Sequence, residues 1–209
     1  MQLRRGIKLP GDNGHRRGSR VSPLRKPSIQ LRESGFLVRT MLPGDACTDY
    51  QDWIADPELM GPLNMPARRL TISQLQDHIS GFDNKLRHLL GLFDETDGKL
   101  IGIVLLDFNT EHRTARFSVL VGNRDYWGDR RIHPLARAFQ AYLFERKGIE
   151  KLRCQIGTDN HRMIGTAKLM GLKMEGLLRG EIRSTRDGSR IDQFVFGLLK
   201  TDWQAQAGR

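Results

Sequence analysis

Three apolar segments lie close together between residues 86 and 122, and only short polar stretches separate them. The first two, LRHLLGLFD and KLIGIVLLDF, flank ETDG, whose Asp97-Gly98 pair is a strong signal for a hairpin. A third segment, TARFSVLVG, follows a second turn around EHRT. Connections this short allow only antiparallel pairing, because parallel strands need a crossover of a dozen residues or more. The sequence therefore predicts an antiparallel meander of three strands.

Elements on both sides of the meander set the fold class. Before it, FLVRTML predicts a strand, residues 46–54 predict a helix, and TISQLQDHISGF predicts a second helix capped by Thr71 or Ser73. After it, IEKLRCQIG predicts a strand, residues 160–170 a helix, and the segments around RDGS a strand pair. Between them, apolar residues at helical spacing predict a helix of about four turns. Those residues are Ile132, Leu135, Ala136, Phe139, Tyr142 and Leu143. The predicted class is α/β (α+β), with a mixed, largely antiparallel central sheet flanked by helices.

The first 34 residues differ from the rest in composition. They contain nine Lys or Arg against two Asp or Glu, which places seven of the ten net positive charges there. The segment lacks apolar periodicity, so we expect it to be disordered, because it cannot bury enough surface to offset its ordering entropy. It is either an arm for RNA, ribosomal or membrane phosphates or an inert leader before a start at Met41. We predict a basic tail over 1–34, one domain over 35–203 and a short tail over 204–209.

Size and cysteine usage exclude several classes of protein. At 209 residues and 38% hydrophobic content, the chain has the size and composition of one soluble domain. Its apolar runs are shorter than the roughly 18 residues of a membrane span, and no secretory leader is recognisable. We therefore expect a cytoplasmic protein that does not contact membrane. Cys47 and Cys154 have neither CxxC nor histidine spacing, so we expect no metal and no disulfide.

Short motifs in order along residues 35–203 resemble the GNAT superfamily of acetyl-CoA-dependent N-acetyltransferases. They are WIADPEL, DGKLIGIV, YWG, TDNHRMIGTAKLMGLKMEGLLR and DGSRIDQFVFGLL. Within that superfamily, the chain is similar to the branch that includes the ribosomal-protein N-terminal acetyltransferases. The resemblance implies the GNAT fold, acetyl-CoA as co-substrate and an acyltransferase activity.

The resemblance also implies where the coenzyme lies. In the family, the strand over 114–122 splays away from the strand over 150–157, and the pantetheine arm occupies the gap, bonded to backbone groups. The helix that begins near Gly128 would direct free amides at the diphosphate. Asn160 would lie beside the arm, or would only cap the next helix. The implied cofactor-binding residues are Val119, Leu120, Val121, Trp127, Gly128, Asp129, Arg130, Arg131 and Asn160.

The helix start departs from the family pattern R/Q-x-x-G-x-G/A. Arg130 and Ile132 replace its two small residues. These positions point about 200° apart around a helix, so they cannot both block one ligand, and Ile132 falls on the core stripe. Two readings stay open. Either Arg130 and Arg131 rebuild the cradle with charge-assisted hydrogen bonds, or they are solvated arginines on a weakened site.

The resemblance assigns no catalytic residue. The family's carboxylate on the 114–122 strand corresponds to about Arg116, and its hydroxyl positions correspond to Met163 and Ala167, with Thr166 nearby. Three residues at the hairpin rim either relay a proton through water or are ordinary turn residues; they are Asp107, Glu111 and His112. Three others match family positions and either contact substrate or form structural bonds; they are Glu175, Arg179 and Asp192.

These observations lead to one functional expectation with one alternative. The chain is expected to transfer acetyl from acetyl-CoA to a primary amine, on a protein N-terminus or a small molecule, by direct attack in a ternary complex. The alternative is a catalytically silent acyl-CoA-binding or protein-interaction domain. The acceptor pocket would lie between the first two helices and the loop GPLNMPARR, where Arg68-Arg69 would either attract an acidic acceptor or stand in solvent. A homodimer is left open.

Overall fold

The computed structural model describes residues 28–207, which form one eight-stranded sheet with helices on both faces. The order of strands across the sheet is β1-β2-β3-β4-β5-β6-β8-β7. The strands are β1 (Gln30–Glu33), β2 (Phe36–Thr40), β3 (Arg87–Asp94), β4 (Leu100–Asn109), β5 (Thr114–Val121), β6 (Lys151–Gly157), β7 (Lys173–Arg183) and β8 (Arg190–Leu199). Every neighbouring pair is antiparallel except β5 and β6. The predicted mixed, largely antiparallel sheet is confirmed.

Six α-helices of the described residues cover the sheet. They are α1 (Thr48–Ala55), α2 (Pro57–Met60), α3 (Ile72–Ser80), α4 (Ile132–Ala141), α5 (His161–Leu169) and α6 (Lys200–Ala207). Thr71 caps α3 in a reciprocal capping box with Gln74. The predicted long helix is α4 extended by a π-helical turn, Tyr142–Arg146, before Gly148 reverses the chain at φ +68°. The short helix α2 and the final helix α6 are absent from the sequence prediction.

Alternating side chains of the strands supply a core on each face of the sheet. On one face, Leu75 of α3 and Tyr50 of α1 are packed with Leu89 and Leu120. On the other face, helices α4, α5 and α6 bury residues that include Leu135, Ala167 and Trp203. Strand residues that are adjacent in sequence therefore belong to different cores, as the two-residue period of a strand requires.

The boundaries predicted for the tails are wrong where the structure describes them. Residues 30–33 form β1 rather than a disordered tail, and Ile29 is completely buried in the core. Phe36, also completely buried, belongs to β2, so a chain that started at Met41 would lose two strands and part of its core. At the other end, residues 204–207 belong to α6. Residues 1–27 of the basic tail predicted over 1–34 lie outside the described residues.

Neither a membrane span nor a metal cluster occurs in the described part of the chain. No helix within residues 28–207 is long and apolar enough to cross a bilayer. No three His, Cys, Asp or Glu side chains in that range converge as metal ligands. Cys154 is buried, which raises the pKa of its thiol to about 12, and Cys47 is half-buried. Both cysteines are free. The buried thiol of Cys154 packs in the core and does not have the exposure or low pKa of a reactive cysteine.

Candidate functional site

The parallel strands β5 and β6 pair over only three residues and then diverge. The pairs are Thr114 with Lys151, Ala115 with Leu152 and Arg116 with Arg153. The rest of β5 keeps its bonds to β4 on the other side, through the pair Gly102 with Val121. The result is a wedge, bounded by residues 117–121 and 154–157, that opens toward the carboxyl ends of both strands.

Only alternate residues of β5 turn their backbone polar groups into this wedge. The Gly122 amide donates to the Ile101 carbonyl of β4 at 3.0 Å, so even-numbered residues of β5 bond to β4. Val119 and Val121 therefore present N–H and C=O groups to the wedge. Leu120 does not, because its backbone faces β4 and its side chain is buried in the core beneath the α1–α3 face. Of the three residues expected to bond the pantetheine arm, Val119 and Val121 face the wedge and Leu120 does not.

The segment from β5 to α4 is held to the sheet at Tyr126. A 3₁₀ turn, Arg124–Tyr126, follows Gly122, and the Tyr126 hydroxyl donates to the Asp94 carboxylate at 3.0 Å. The chain then turns at Gly128, where φ of +82° favours glycine because a Cβ is strained in that region. The glycine of the YWG motif is thus a conformational requirement of the loop.

The amides at the start of α4 are mostly occupied, which corrects the expectation of free donors. The Arg131 amide donates to the Asp129 carboxylate at 2.8 Å, and the Ile132 amide donates to the Asp129 carbonyl at 3.2 Å. The Arg131 guanidinium, hydrogen-bonded to the same carboxylate, lowers the pKa of Asp129. A carboxylate therefore occupies the positive end of the helix dipole. Within the described chain, the amides left without an acceptor in this segment are those of Gly128 and Arg130.

The two arginines of the altered helix start have different surroundings. Arg131 bonds to Asp129 at 2.8 Å, lies 3.6 Å from Asp94 and stacks over Phe36 at 4.6 Å. The Arg131 guanidinium is therefore already paired with groups of the protein itself. Arg130 is exposed and has no ion-pair partner among residues 28–207. A rebuilt phosphate cradle therefore depends on Arg130 alone.

The Trp127 side chain, although exposed, is directed back toward the end of β5. Its indole N–H donates to the Val121 carbonyl at 2.8 Å. The guanidinium of Arg162 lies 3.7 Å from its ring centroid, and that of Arg124 lies 5.4 Å away. Arg162, in the first turn of α5, was not identified from the sequence. Its place two residues after the predicted capping residue Asn160 was the available signal.

Asn160 has a structural role at the start of α5. Its side-chain oxygen accepts from the Met163 amide at 3.1 Å, as a helix cap does. Its side-chain amide donates to the Pro62 carbonyl at 3.3 Å and thereby joins α5 to the 3₁₀ turn Gly61–Leu63. The capping alternative is present in the structure, and the side chain stands at the α5 side of the wedge mouth.

The hairpin-rim residues proposed as a proton route lie at the wrong end of β5. Asp107 is opposite Arg116 in the β4–β5 register and bonds to it at 2.7 Å. Glu111 and His112 are in the turn before β5. Val121 is seven residues beyond the start of β5, or roughly 23 Å at the rise of a strand. These three residues are therefore distant from the open end of the wedge.

The remaining family-matched residues form structural bonds or stand in solvent. Asp192 accepts from the Gly180 amide at 2.5 Å, at the irregular part of the β7–β8 pair. Glu175 forms an ion pair with Lys151 at 2.7 Å. Arg179 is exposed on β7, and the Thr166 hydroxyl donates to the Arg162 carbonyl at 3.0 Å. No substrate role follows from these contacts.

An acidic cleft of about 330 Å³ borders the end of β5. It is lined by Asp49, Asp52, Trp53, Asp56, Leu59, Gly122, Asn123 and Arg124. Arg124 bonds to Asp56 at 3.0 Å and to Glu58 at 2.8 Å. The other two aspartates are exposed and have no cationic partner in the described residues. Of the elements expected to build an acceptor pocket, α1 lines this cleft, whereas α3 and the loop that carries Arg68 and Arg69 do not.

Comparisons with known proteins agree with this geometry. Residues 36–173 match the model of an acetyltransferase (GNAT) domain. A GNAT-family acetyltransferase from Bacillus anthracis has a similar structure, with a TM-score of 0.71 at 13% identity, over 83% of this chain and 99% of that one. A search of curated proteins by sequence found no significant match.

Two further solved structures have the same fold. The ribosomal-protein-S5-alanine acetyltransferase from Vibrio fischeri has a TM-score of 0.71 at 14% identity, over 84% of this chain and 99% of that one. Spermidine N-acetyltransferase from Vibrio cholerae, solved with CoA and spermine, has a TM-score of 0.71 at 18% identity, over 82% of this chain and 99% of that one. The family-model match covers more than half of the sequence, so the chain belongs to the GNAT family of acetyltransferases, which use acetyl-CoA.

Proposed function

We propose that this acetyltransferase moves an acetyl group from acetyl-CoA to a primary amine, and that the thioester arm lies in the β5–β6 wedge. The observation that carries the proposal is the three-residue pairing of these strands. Beyond it, the backbone groups of Val119 and Val121 face a gap instead of a partner strand. An extended arm with amide groups could bond to them as an additional strand does.

The diphosphate of the coenzyme would lie beside the segment that precedes α4. The amides of Gly128 and Arg130 lack acceptors there, and the unpaired Arg130 guanidinium can supply charge-assisted hydrogen bonds to phosphate. Asp129 repels an anion placed directly on the helix axis. We therefore place the diphosphate on the Gly128–Arg130 turn rather than at the first turn of the helix.

A cationic amine is the acceptor that the acidic cleft favours. Asp49 and Asp52 have no cationic partner there within residues 28–207, whereas Arg124 neutralises Asp56 and Glu58. The amine nitrogen, once neutral, would attack the thioester carbonyl carbon, and the carbon–sulfur bond would break to give the N-acetyl amine and the CoA thiol, with the amine proton transferred. Proximity and orientation of the two substrates can supply several kcal/mol toward this step. A protein N-terminus and a small polyamine both present such a group.

A titration of acetyl-CoA against the purified protein tests the coenzyme site. We expect saturable binding by the wild type and a loss of about 1 to 3 kcal/mol for Arg130→Ala, the range for a lost charge-assisted bond. Arg137→Ala is the matched control, because Arg137 is also exposed on α4 but lies two turns further along. Equal binding by all three proteins would remove Arg130 from the site. Absence of binding by all three would reject the wedge as a coenzyme site.

A catalytically silent coenzyme-binding domain remains the second candidate. It is favoured by the residues at the family's acid and base positions, because Arg116 is tied to Asp107 and Met163 and Ala167 carry no titratable group. Mass spectrometry of primary amines and peptides incubated with acetyl-CoA distinguishes the two. Saturable coenzyme binding without acetylated product across the panel would favour the silent domain.

A further inference from the structure

One carbonyl of the wedge is already bonded to a side chain. Val121 lies in the unpaired part of β5 with its polar groups toward the gap, and its carbonyl accepts the Trp127 indole N–H at 2.8 Å. Trp127 is 37% exposed, whereas Trp53 and Trp203 are only 7% and 9% exposed. A surface tryptophan therefore occupies the edge that an incoming extended ligand would use.

The same indole is held from the opposite side of the wedge. Trp127 belongs to the segment after β5, and Arg162 belongs to the helix after β6. Their stacking distance of 3.7 Å is within the range of a cation–π contact. Because β5 and β6 are parallel, both segments lie at the open end of the wedge. The Trp127–Arg162 pair therefore spans the mouth from one wall to the other.

We propose that this pair closes the wedge in the free protein, and that acyl-CoA displaces the Trp127 indole from the Val121 carbonyl when it binds. The inference rests on the proposed function, since it assumes that the coenzyme arm enters this gap. The exchange conserves hydrogen bonds, because an amide N–H of the arm replaces the indole N–H on the same oxygen. Displacement also releases the Arg162 guanidinium, which has no carboxylate partner in the described part of the chain.

Closure has a measurable effect on affinity. If the closed form predominates, the apparent dissociation constant is raised by the reciprocal of the open fraction. Trp127→Phe keeps an aromatic ring for Arg162 but removes the N–H donor, so it weakens the closed form without removing the stack. Loss of one such hydrogen bond should tighten acetyl-CoA binding roughly two- to tenfold.

The experiment is an acetyl-CoA titration by calorimetry of the wild type, Trp127→Phe and Trp203→Phe, together with tryptophan emission spectra. We expect tighter binding by Trp127→Phe and unchanged binding by Trp203→Phe, because Trp203 of α6 is buried against Phe144, and α6 follows Leu199 beside the paired start of β6. Saturating acetyl-CoA should shift wild-type emission to longer wavelength as the indole leaves the wedge, and Trp127→Phe should lack that shift.

The other possible results of the acetyl-CoA titration also test the closure. If Trp127→Phe bound acetyl-CoA and the other two proteins did not, the closed form would exclude the coenzyme almost completely. Equal affinities, or weaker binding by Trp127→Phe, would overturn the closure while leaving the coenzyme site intact, because the wild type would still bind. Absence of binding by every protein would reject the proposed coenzyme site and the closure with it.

Discussion

The Tyr126 hydroxyl donates a 3.0 Å hydrogen bond to the Asp94 carboxylate, and this bond joins the loop before α4 to the end of β3. Asp94 is only 3% exposed. It also accepts from the Thr96 amide at 2.8 Å and lies 3.6 Å from the Arg131 guanidinium. One buried carboxylate thus holds two residues of the segment that carries Gly128 and Arg130. The position of the proposed diphosphate site depends on a residue in a different hairpin.

Substitutions at this bond should destabilise the fold to different degrees. Asp94→Asn removes the charge that faces Arg131 and leaves the surrounding donors with fewer acceptors, so we expect the free energy of unfolding to fall by about 1 to 3 kcal/mol. Tyr126→Phe removes one donor while the Thr96 bonds to Asp94 persist, so its loss should be smaller, about 1 kcal/mol. Urea unfolding measures both. A larger loss for Tyr126→Phe would contradict the central role of Asp94.

The same carboxylate should make stability depend on acid pH. Hydrogen bonds from Thr96 and Tyr126 to Asp94, with Arg131 nearby, hold the pKa of Asp94 below its ordinary value. A carboxyl with a lowered folded-state pKa stabilises the fold above its unfolded pKa of about 3.9, and this contribution is lost as the pH falls through the folded value. We expect the wild type to lose more unfolding free energy between pH 6 and pH 3 than Asp94→Asn. Parallel profiles for the two proteins would refute this.

Two glycine-to-alanine substitutions should change the stability of the fold in opposite directions. A Cβ on Gly122 would collide with the Trp53 ring, which is buried beneath the end of β5. Gly122→Ala should therefore destabilise by about 1 to 3 kcal/mol through overpacking. Gly165 is inside α5 with open space at its Cβ position, so Gly165→Ala should stabilise by about 0.5 to 1 kcal/mol through helix propensity. Thermal unfolding of the pair provides an internal comparison.

The fold was predictable because its signals are local. Hairpin turns such as Asp97-Gly98 and the capping residue Thr71 act within a few residues, and the structure contains both features. The β1 strand was not predicted because Gln30–Glu33 has polar residues and acquires its conformation by pairing with β2. Tertiary pairing overrides weak propensity at such an edge.

The sequence predicted which segment of the chain carries the candidate site, but not the contacts that its side chains make. Arg130 and Arg131 are neighbours of the same type, but Arg131 is paired with Asp129, two residues away, and also lies beside Asp94 and Phe36, which are distant in sequence. The inward direction of Trp127 likewise depends on the turn at Gly128 and on Arg162 of another helix. The acidic cleft did leave a local signal, since Asp49, Asp52 and Asp56 recur at i, i+3 and i+7.

Neutralising Asp107 should leave catalysis unchanged. The side chain is paired with Arg116, five residues before Val121 on β5, and so lies roughly 17 Å from Val121 at the rise of a strand. Asp107→Asn should therefore keep kcat within about twofold of the wild type, and the loss of a half-exposed ion pair should cost less than about 1 kcal/mol of stability. Steady-state kinetics with any accepted amine tests this. A large fall in kcat with an unchanged fold would restore Asp107 as part of the proton route.

Neutralising the unpaired carboxylates of the cleft should weaken the binding of a cationic acceptor. Asp49→Asn and Asp52→Asn should each raise the KM for a polyamine about two- to tenfold, because a partly screened ion pair contributes about 1 kcal/mol at such a site. The kcat should persist, since neither carboxylate is required for the chemistry. Added salt should reduce the difference from the wild type as screening weakens the attraction.

The matched control for the cleft is Asp77→Asn. Asp77 is exposed on α3 and does not line the cleft, so the change in net charge is the same while the local field is preserved. An equal rise in KM for the control would assign the effect to the overall charge of the protein. A rise confined to Asp49→Asn and Asp52→Asn would place the acceptor beside α1. An unchanged KM in all three variants would exclude this cleft as the acceptor site, because removal of the two lining carboxylates that have no cationic partner among residues 28–207 must alter the field on a bound cation.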